Sequence, residues 1–181
     1  MKKLLIGALV GGLLVFIWQT LSWTVLNLHA KSYQYTSSQD SILSNLSSHF
    51  SEDGQYLLPN LPVDASMDDM TKFGETNKGK PWAVVSYHKS YDMNMGANIV
   101  KGLLTQILAV FLLCWILVKI PNPGFSTILL SSLFVGLIGF MFIPYSEYIW
   151  YKFPGAAINL MDAVLSWGLC GVWLGWWLRK P

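Results

Sequence analysis

Four long apolar stretches constrain this chain more than any other feature of its sequence. They cover about residues 4–26, 98–119, 126–144 and 156–178. A helix that crosses roughly 30 Å of hydrocarbon needs about 20 residues, because each residue advances the helix by ~1.5 Å. All four stretches are about that long. The sequence therefore predicts four transmembrane helices.

The overall composition supports a membrane location. Only 12% of the residues are charged and 53% are hydrophobic, whereas about 25% of a soluble protein is charged. The nine Trp, nine Phe and eight Tyr residues cluster near the ends of the apolar runs, as aromatic side chains do at membrane surfaces. Both cysteines, Cys114 and Cys170, fall inside apolar runs. No disulfide framework follows from that placement.

The distribution of charge orients the predicted helices. If the N-terminus is cytoplasmic, the short cytoplasmic pieces carry only positive charges: Lys2, Lys3, Lys119, Arg179 and Lys180. Every acidic residue except Asp162 then lies on the other face. Lysine and arginine favour the cytoplasmic side of short loops, so both termini are predicted to be cytoplasmic. The first apolar stretch exceeds the core of a cleaved signal peptide and is read as an uncleaved anchor.

A polar segment between the first two apolar stretches predicts a small α+β unit. A helix that begins at Ser38 or Asp40 would place apolar residues up to Phe50 on one face. Residues 56–58 and 82–88 read as strands. Residues 62–80 read as a loop with one helical turn near 67–71, and 145–155 as an aromatic loop on the outer face.

The predicted fold class is thus a membrane all-α protein with four transmembrane helices and a small extracytoplasmic α+β insert. Residues 1–29 form the first transmembrane helix, 30–95 the insert, and 96–181 a region of three transmembrane helices. A two-stranded sheet with one helix is marginally stable alone. We therefore expect the insert to lean on the membrane surface or on another subunit.

Asp162 is the one acid inside an apolar stretch. A charge at the centre of a membrane helix costs on the order of 2.5–3.5 kcal/mol, so it normally has a partner. Lys101 lies at a similar depth in the second stretch, and Asn159 precedes Asp162 by one turn. The sequence predicts a structural Lys101–Asp162 pair. The alternatives are a partner in another subunit and a proton or ion relay, although a relay needs several titratable groups along a path.

Small residues four apart predict two helix-packing seams. Gly7 and Gly11 lie in the first stretch, and Gly171 and Gly175 in the last, with Gly168 just before the second pair. Such spacing lets helices approach closely. The seams favour close packing of the first and last helices, or packing against another protein.

Cofactor motifs are sparse. His29, His49 and His88 all lie outside the predicted hydrocarbon region, so a membrane haem held by two histidines is not expected. No zinc or carboxylate metal motif is present, and no basic stripe indicates nucleic-acid binding. One alternative remains: a Cu(I) site on the outer face, since thioether sulfur suits Cu(I). Its ligands would come from Met67, Met70, His88, Met93 and Met95.

Four segments carry a loose family resemblance. They read WQTLSWTVLNLH at 18–29, GQYLLPNLP at 54–62, GKPWAVVSYH at 79–88 and YKFPGAAINLMDAVLSWGLCG at 151–171. With these segments, the chain resembles a group of small, uncharacterised bacterial inner-membrane proteins with one span, a periplasmic insert and three further spans. The resemblance implies a bacterial inner-membrane location and brings no catalytic motif or cofactor.

The sequence therefore favours a non-catalytic membrane protein, expected to be an accessory or scaffold subunit of a larger inner-membrane complex or to self-associate. Two alternatives remain open: an extracytoplasmic copper-handling protein, and a small transporter component that depends on Asp162.

Overall fold

The fold is mostly helical, with one two-stranded sheet. A computed structural model describes residues 1–179, and Lys180 and Pro181 lie outside it. The helices are α1 (Lys2–Thr20), α2 (Gln39–His49), α3 (Met67–Asn77), α4 (Met95–Leu117), α5 (Phe125–Phe140), α6 (Ser146–Tyr151) and α7 (Ala156–Trp177), and the strands are β1 (Gly54–Leu58) and β2 (Ala83–Tyr87). Two compact units result: Met1–Gln34 with the chain from Asn94, and Tyr35–Met93.

Four helices are long and apolar enough to cross a membrane. They span Lys2–Val25, Met95–Leu117, Phe125–Tyr151 and Ala156–Trp177. The prediction of four such helices is confirmed, with one difference at 145–155. Most of that segment is helical, because a π-helical turn over Met141–Tyr145 joins α5 to α6. Pro144 lies inside this turn, where a locally widened helix accommodates its missing N–H.

The four long helices pack side by side around one apolar core. α7 lies between α1 and α5, and α1 also packs against α4, whereas α4 and α5 barely touch. Each helix contributes to the core, and α4 contributes half of it: Val15, Val110, Leu113, Cys114, Leu117, Ile128, Cys170 and Leu174. This arrangement places α1 and α7 at the centre of the group and leaves α4 and α5 on its flanks.

The unit Tyr35–Met93 contains the sheet. β1 and β2 are antiparallel, with Gly54 opposite Tyr87 and Leu58 opposite Ala83. Both strands and the helix after Ser38 are confirmed. The region 67–71 is more ordered than predicted, because α3 continues to Asn77. Ser66 and Asp69 form a reciprocal capping box at its start, which satisfies amide groups that a helix N-terminus otherwise leaves unpaired.

Candidate functional site

Asp162 lies at the centre of a buried hydrogen-bonded cluster. Its side chain projects from the second turn of α7, and only 3% of the residue is exposed. Trp18 Nε1 donates to Oδ1 at 3.0 Å, and Ser22 Oγ lies 2.8 and 2.9 Å from the two carboxylate oxygens. His29 Nε2 lies 2.8 Å from Oδ2. We call these four residues the Asp162 cluster.

Trp18 and Ser22 reach the carboxylate because they share one face of the first helix. They are four residues apart, which is about one helical turn. From Leu21 to Val25 the backbone is π-helical, and the Leu26 N–H donates to the Leu21 carbonyl at 2.8 Å. π-Helical turns inside α-helices occur frequently at functional sites. Here the turn contains Ser22, which is fully buried.

His29 reaches the same carboxylate because the chain reverses after the first helix. Asn27 adopts a left-handed conformation with φ +50°, which asparagine tolerates better than most residues. The Leu28 N–H then donates to the Ser22 carbonyl at 2.9 Å. The returning chain places the His29 ring parallel to Trp23, with ring centroids 3.8 Å apart. His29 is 4% exposed.

The turn that carries His29 also packs against the start of α7. A Cβ atom on Gly155 would lie 2.7 Å from Ser32 Oγ, and Gly155 has φ +91°. Both facts favour glycine at this position. The turn thus has a second contact with the start of α7, besides the bond between His29 and Asp162.

The cluster satisfies the buried acid within the chain. An indole, a hydroxyl and an imidazole nitrogen surround the two carboxylate oxygens, and no buried side-chain polar atom in residues 1–179 lacks a partner. Removing one partner of a buried hydrogen bond leaves the other group unpaired, which costs about 1–3 kcal/mol. The cluster thus ties the end of the first helix to α7.

The predicted Lys101–Asp162 pair is wrong, because His29 occupies the place assigned to Lys101. Lys101 is exposed and makes no ion pair within residues 1–179. Asn159 is also outside the cluster, although it lines a cavity next to it. Depth along the helices does not identify the partner, because the chain reverses at Asn27 and brings His29 from beyond the helix end back to Asp162.

The glycine seams have different neighbours. Gly7 and Gly11 face α7 and α4, where added Cβ atoms would lie 3.2 Å from Trp177 and 2.9 Å from Val110. Gly171 and Gly175 face α5 instead of α1, at 2.9 Å from Ser132 and 2.6 Å from Phe125. Gly168 is looser, at 3.6 Å from Leu133. The last helix therefore uses its glycines against α5.

Indole groups reinforce the contact between α7 and α1. Trp177 Nε1 donates to the Lys3 carbonyl at 2.7 Å, and Trp173 Nε1 donates to the Gly7 carbonyl at 3.3 Å. Because Gly7 has no side chain, the indole can approach its carbonyl closely. The two central helices are thus joined near one end by these indoles and near the other by the Asp162 cluster.

A cavity of about 280 Å³ opens beside the Asp162 cluster. The side chains of Gln19, Gln106 and Asn159 line it, together with Asp162. Trp23 and Trp167 form aromatic walls. The cavity thus brings together polar residues from α1, α4 and α7 in an otherwise apolar group of helices.

The residues of the alternative copper site are not joined by any described hydrogen bond. His88 Nδ1 faces Asp53 Oδ2 at 3.6 Å, and the hydroxyl of Tyr91 lies 3.8 Å from the sulfur of Met93. Met67, Met70, Met93 and Met95 are all at least half exposed. Among residues 1–179, no group of three or more His, Cys, Asp or Glu side chains is arranged to hold a metal ion.

The four long apolar helices are consistent with the class of multi-pass membrane proteins. Comparison with protein-family models, with curated proteins and with solved structures gives no significant match.

Proposed function

We propose that this chain is a non-catalytic accessory or scaffold subunit of a larger assembly in the bacterial inner membrane. In this proposal both termini are cytoplasmic and Tyr35–Met93 faces outward. One observation carries it. Of residues 35–93, all of which the structure describes, Tyr87 alone is buried.

A unit with only one buried residue needs another surface against which its apolar side chains can pack. Neither α2 nor α3 contains a buried residue, and the sheet has only two strands. Its internal packing includes Phe50, which stacks on Tyr56 at 3.8 Å and meets Tyr87 edge-on at 5.4 Å. Small units bury too little apolar surface to be stable without additional support. A partner protein would supply that support.

Exposed apolar side chains on this unit support the proposal of a partner. Within this unit Ile42, Leu43, Leu58, Val63 and Trp82 are all exposed by more than a third. Large exposed apolar patches commonly mark interaction sites. Burying these side chains against a partner would contribute roughly 25 cal/mol for each Å² of apolar surface removed from water.

The Asp162 cluster supports a structural role for the buried acid. Ser22 donates to Asp162 and not to His29, so the three residues lack the order of a serine–histidine–aspartate triad, in which histidine contacts serine. The carboxylate accepts from three side chains of its own chain. Its clearest effect is to fix the first helix against α7.

The charge pattern supports the proposed orientation. Lys2, Lys3, Lys119 and Arg179 would face the cytoplasm, as the positive-inside rule favours. The acidic residues of the unit Tyr35–Met93 would face outward. The bacterial inner membrane is inferred from the resemblance of segments such as 54–62 and 151–171 to small bacterial membrane proteins.

Site-specific photo-crosslinking in native membranes tests the proposal. A photoreactive amino acid would replace Leu43 or Trp82, and a control would carry it at the exposed polar residue Lys78. We expect a shared adduct from the two apolar sites and little from the control, with the partner identified by mass spectrometry. An adduct with a second copy of the chain would identify the assembly as a homo-oligomer. Absence of adducts, together with a monomer after mild solubilisation, would refute the proposal.

A further inference from the structure

The cavity beside the Asp162 cluster contains carboxamides that the protein leaves unpaired. Gln19, Gln106 and Asn159 line it, and in the part of the chain that the structure describes none of their side chains makes a hydrogen bond to the protein. Their amide atoms remain accessible from the cavity, because no fully buried side-chain polar atom in residues 1–179 lacks a partner. Three such groups around one cavity point to an occupant that pairs with them.

The chemistry of the lining defines the class of occupant. Each carboxamide offers one acceptor oxygen and an NH₂ donor. The acid at the cavity wall is already paired, since Asp162 accepts from Trp18, Ser22 and His29. The lining therefore presents neutral groups of mixed donor and acceptor character and no unpaired charge. An uncharged ligand with both donors and acceptors fits it better than a cation or an anion.

The walls and the volume limit the size of the occupant. Trp23, Phe140 and Trp167 supply apolar surface around the amides. The volume of about 280 Å³ is near the lower end of the range for ligand pockets, roughly 300–1,000 Å³. We propose that this cavity binds a small uncharged polar molecule of the amide or polyol class.

Glycine at position 139 allows the cavity to be filled without disturbing its polar groups. Gly139 lines the cavity, and a Cβ built on it meets nothing within 4 Å. Gly139→Leu would therefore project a larger side chain into open space. Gly74→Leu is a matched control, because a Cβ on Gly74 also meets nothing within 4 Å and this residue lies in α3, in the other unit.

Thermal unfolding of the full chain in detergent measures binding. The probes are acetamide and glycerol, with choline chloride and sodium acetate as charged controls. At about ten times the dissociation constant, a specific ligand raises the Tm of a chain of this size by roughly 3–6 °C. We expect a neutral probe to give this rise with the natural protein and with Gly74→Leu, and the rise to be lost with Gly139→Leu. An equal rise in all three proteins, no rise in any, or a response to charged probes alone would overturn the proposal.

Cysteine labelling provides a second measurement if Gly139→Leu does not fold. The thiol of Ala163→Cys would lie in the cavity lining and leave all three carboxamides in place, whereas the natural Cys114 and Cys170 are buried. We expect a small water-soluble methanethiosulfonate to label it, and excess acetamide or glycerol to slow the labelling several-fold. Absence of labelling, or labelling that neither probe slows, would overturn the proposal.

Discussion

Asp162 on α7 and His29 beyond the end of the first helix are joined at 2.8 Å, from Oδ2 to Nε2, across 133 positions of sequence. Both residues are almost completely buried. The contact therefore joins the N-terminal part of the chain to its last long helix. It also gives the buried acid a partner outside the regular part of either helix.

Removal of the Ser22 hydroxyl is expected to destabilise the fold. In Ser22→Ala the carboxyl group loses a buried donor, and leaving a buried acceptor with one partner fewer costs about 1–3 kcal/mol. The control is Thr20→Val, since the Thr20 hydroxyl bonds only to the Phe16 carbonyl at an exposed position. Unfolding in detergent would measure both. A similar loss for the two variants would contradict a special role for Ser22.

Asn27 is expected to stabilise the reversal through its backbone conformation. Asn27→Ala would force alanine into the left-handed region at φ +50°, which costs an ordinary residue about 1–2 kcal/mol. Asn27→Gly should restore most of the loss, because glycine adopts positive φ readily. The measurement is again the free energy of unfolding. If the glycine variant were as unstable as the alanine variant, the side chain and not the backbone would be responsible.

Gly12 is expected to be the glycine of α1 that tolerates substitution least. A Cβ there would lie 2.5 Å from the backbone Cα of Ile107 on α4, so α1 and α4 would have to separate. Overpacking of this kind typically costs about 1–3 kcal/mol. Gly139→Ala is the control, because its Cβ meets open space and should leave stability unchanged or slightly raised. A stable Gly12→Ala protein would contradict the described contact between α1 and α4.

Asp53 is expected to make the sheet unit sensitive to acid. The backbone N–H of Lys89 donates to its carboxylate and, with a smaller contribution from His88, lowers the pKa of Asp53 below its usual 3.8. A lowered folded-state pKa means that the stabilisation is present above the unfolded-state value and is lost as the pH falls through the folded-state value. Hydrogen exchange of the β1 and β2 amides in the full chain should therefore show protection falling below about pH 3.8.

The variant Asp53→Ala tests how much the Asp53 carboxylate contributes to the acid sensitivity of the sheet unit. It should show weaker protection of the same amides already at neutral pH and a smaller further loss on acidification. Asp40→Asn serves as the control, since Asp40 makes no described side-chain hydrogen bond. Identical pH profiles for the natural protein and Asp53→Ala would rule out this contribution.

The architecture could be predicted largely because it depends on local patterns. Apolar runs of membrane-spanning length define the four long helices, and alternation with turn residues defines β1 and β2. The predicted helical turn near 67–71 is shorter than α3, although the Ser66–Asp69 spacing is a recognisable capping signal.

The partner of Asp162 could not be predicted from such patterns. Its position depends on the π-helical turn at Leu21–Val25 and on the reversal at Asn27, and neither has a clear sequence signature. The one available clue was Trp18 and Ser22, two polar donors one turn apart in an apolar helix. These two side chains lie on the face of the first helix that contacts Asp162.

A double-mutant cycle between Asp162→Asn and His29→Gln tests most directly whether this contact joins the first and last helices. Lys101→Gln is the parallel control. The pair in contact should show a coupling energy of about 0.5–3 kcal/mol in the free energy of unfolding, whereas Lys101 should be additive with Asp162 within about 0.5 kcal/mol. Additive effects of His29 and Asp162, with coupling between Lys101 and Asp162 instead, would contradict this account of how the first and last helices are joined.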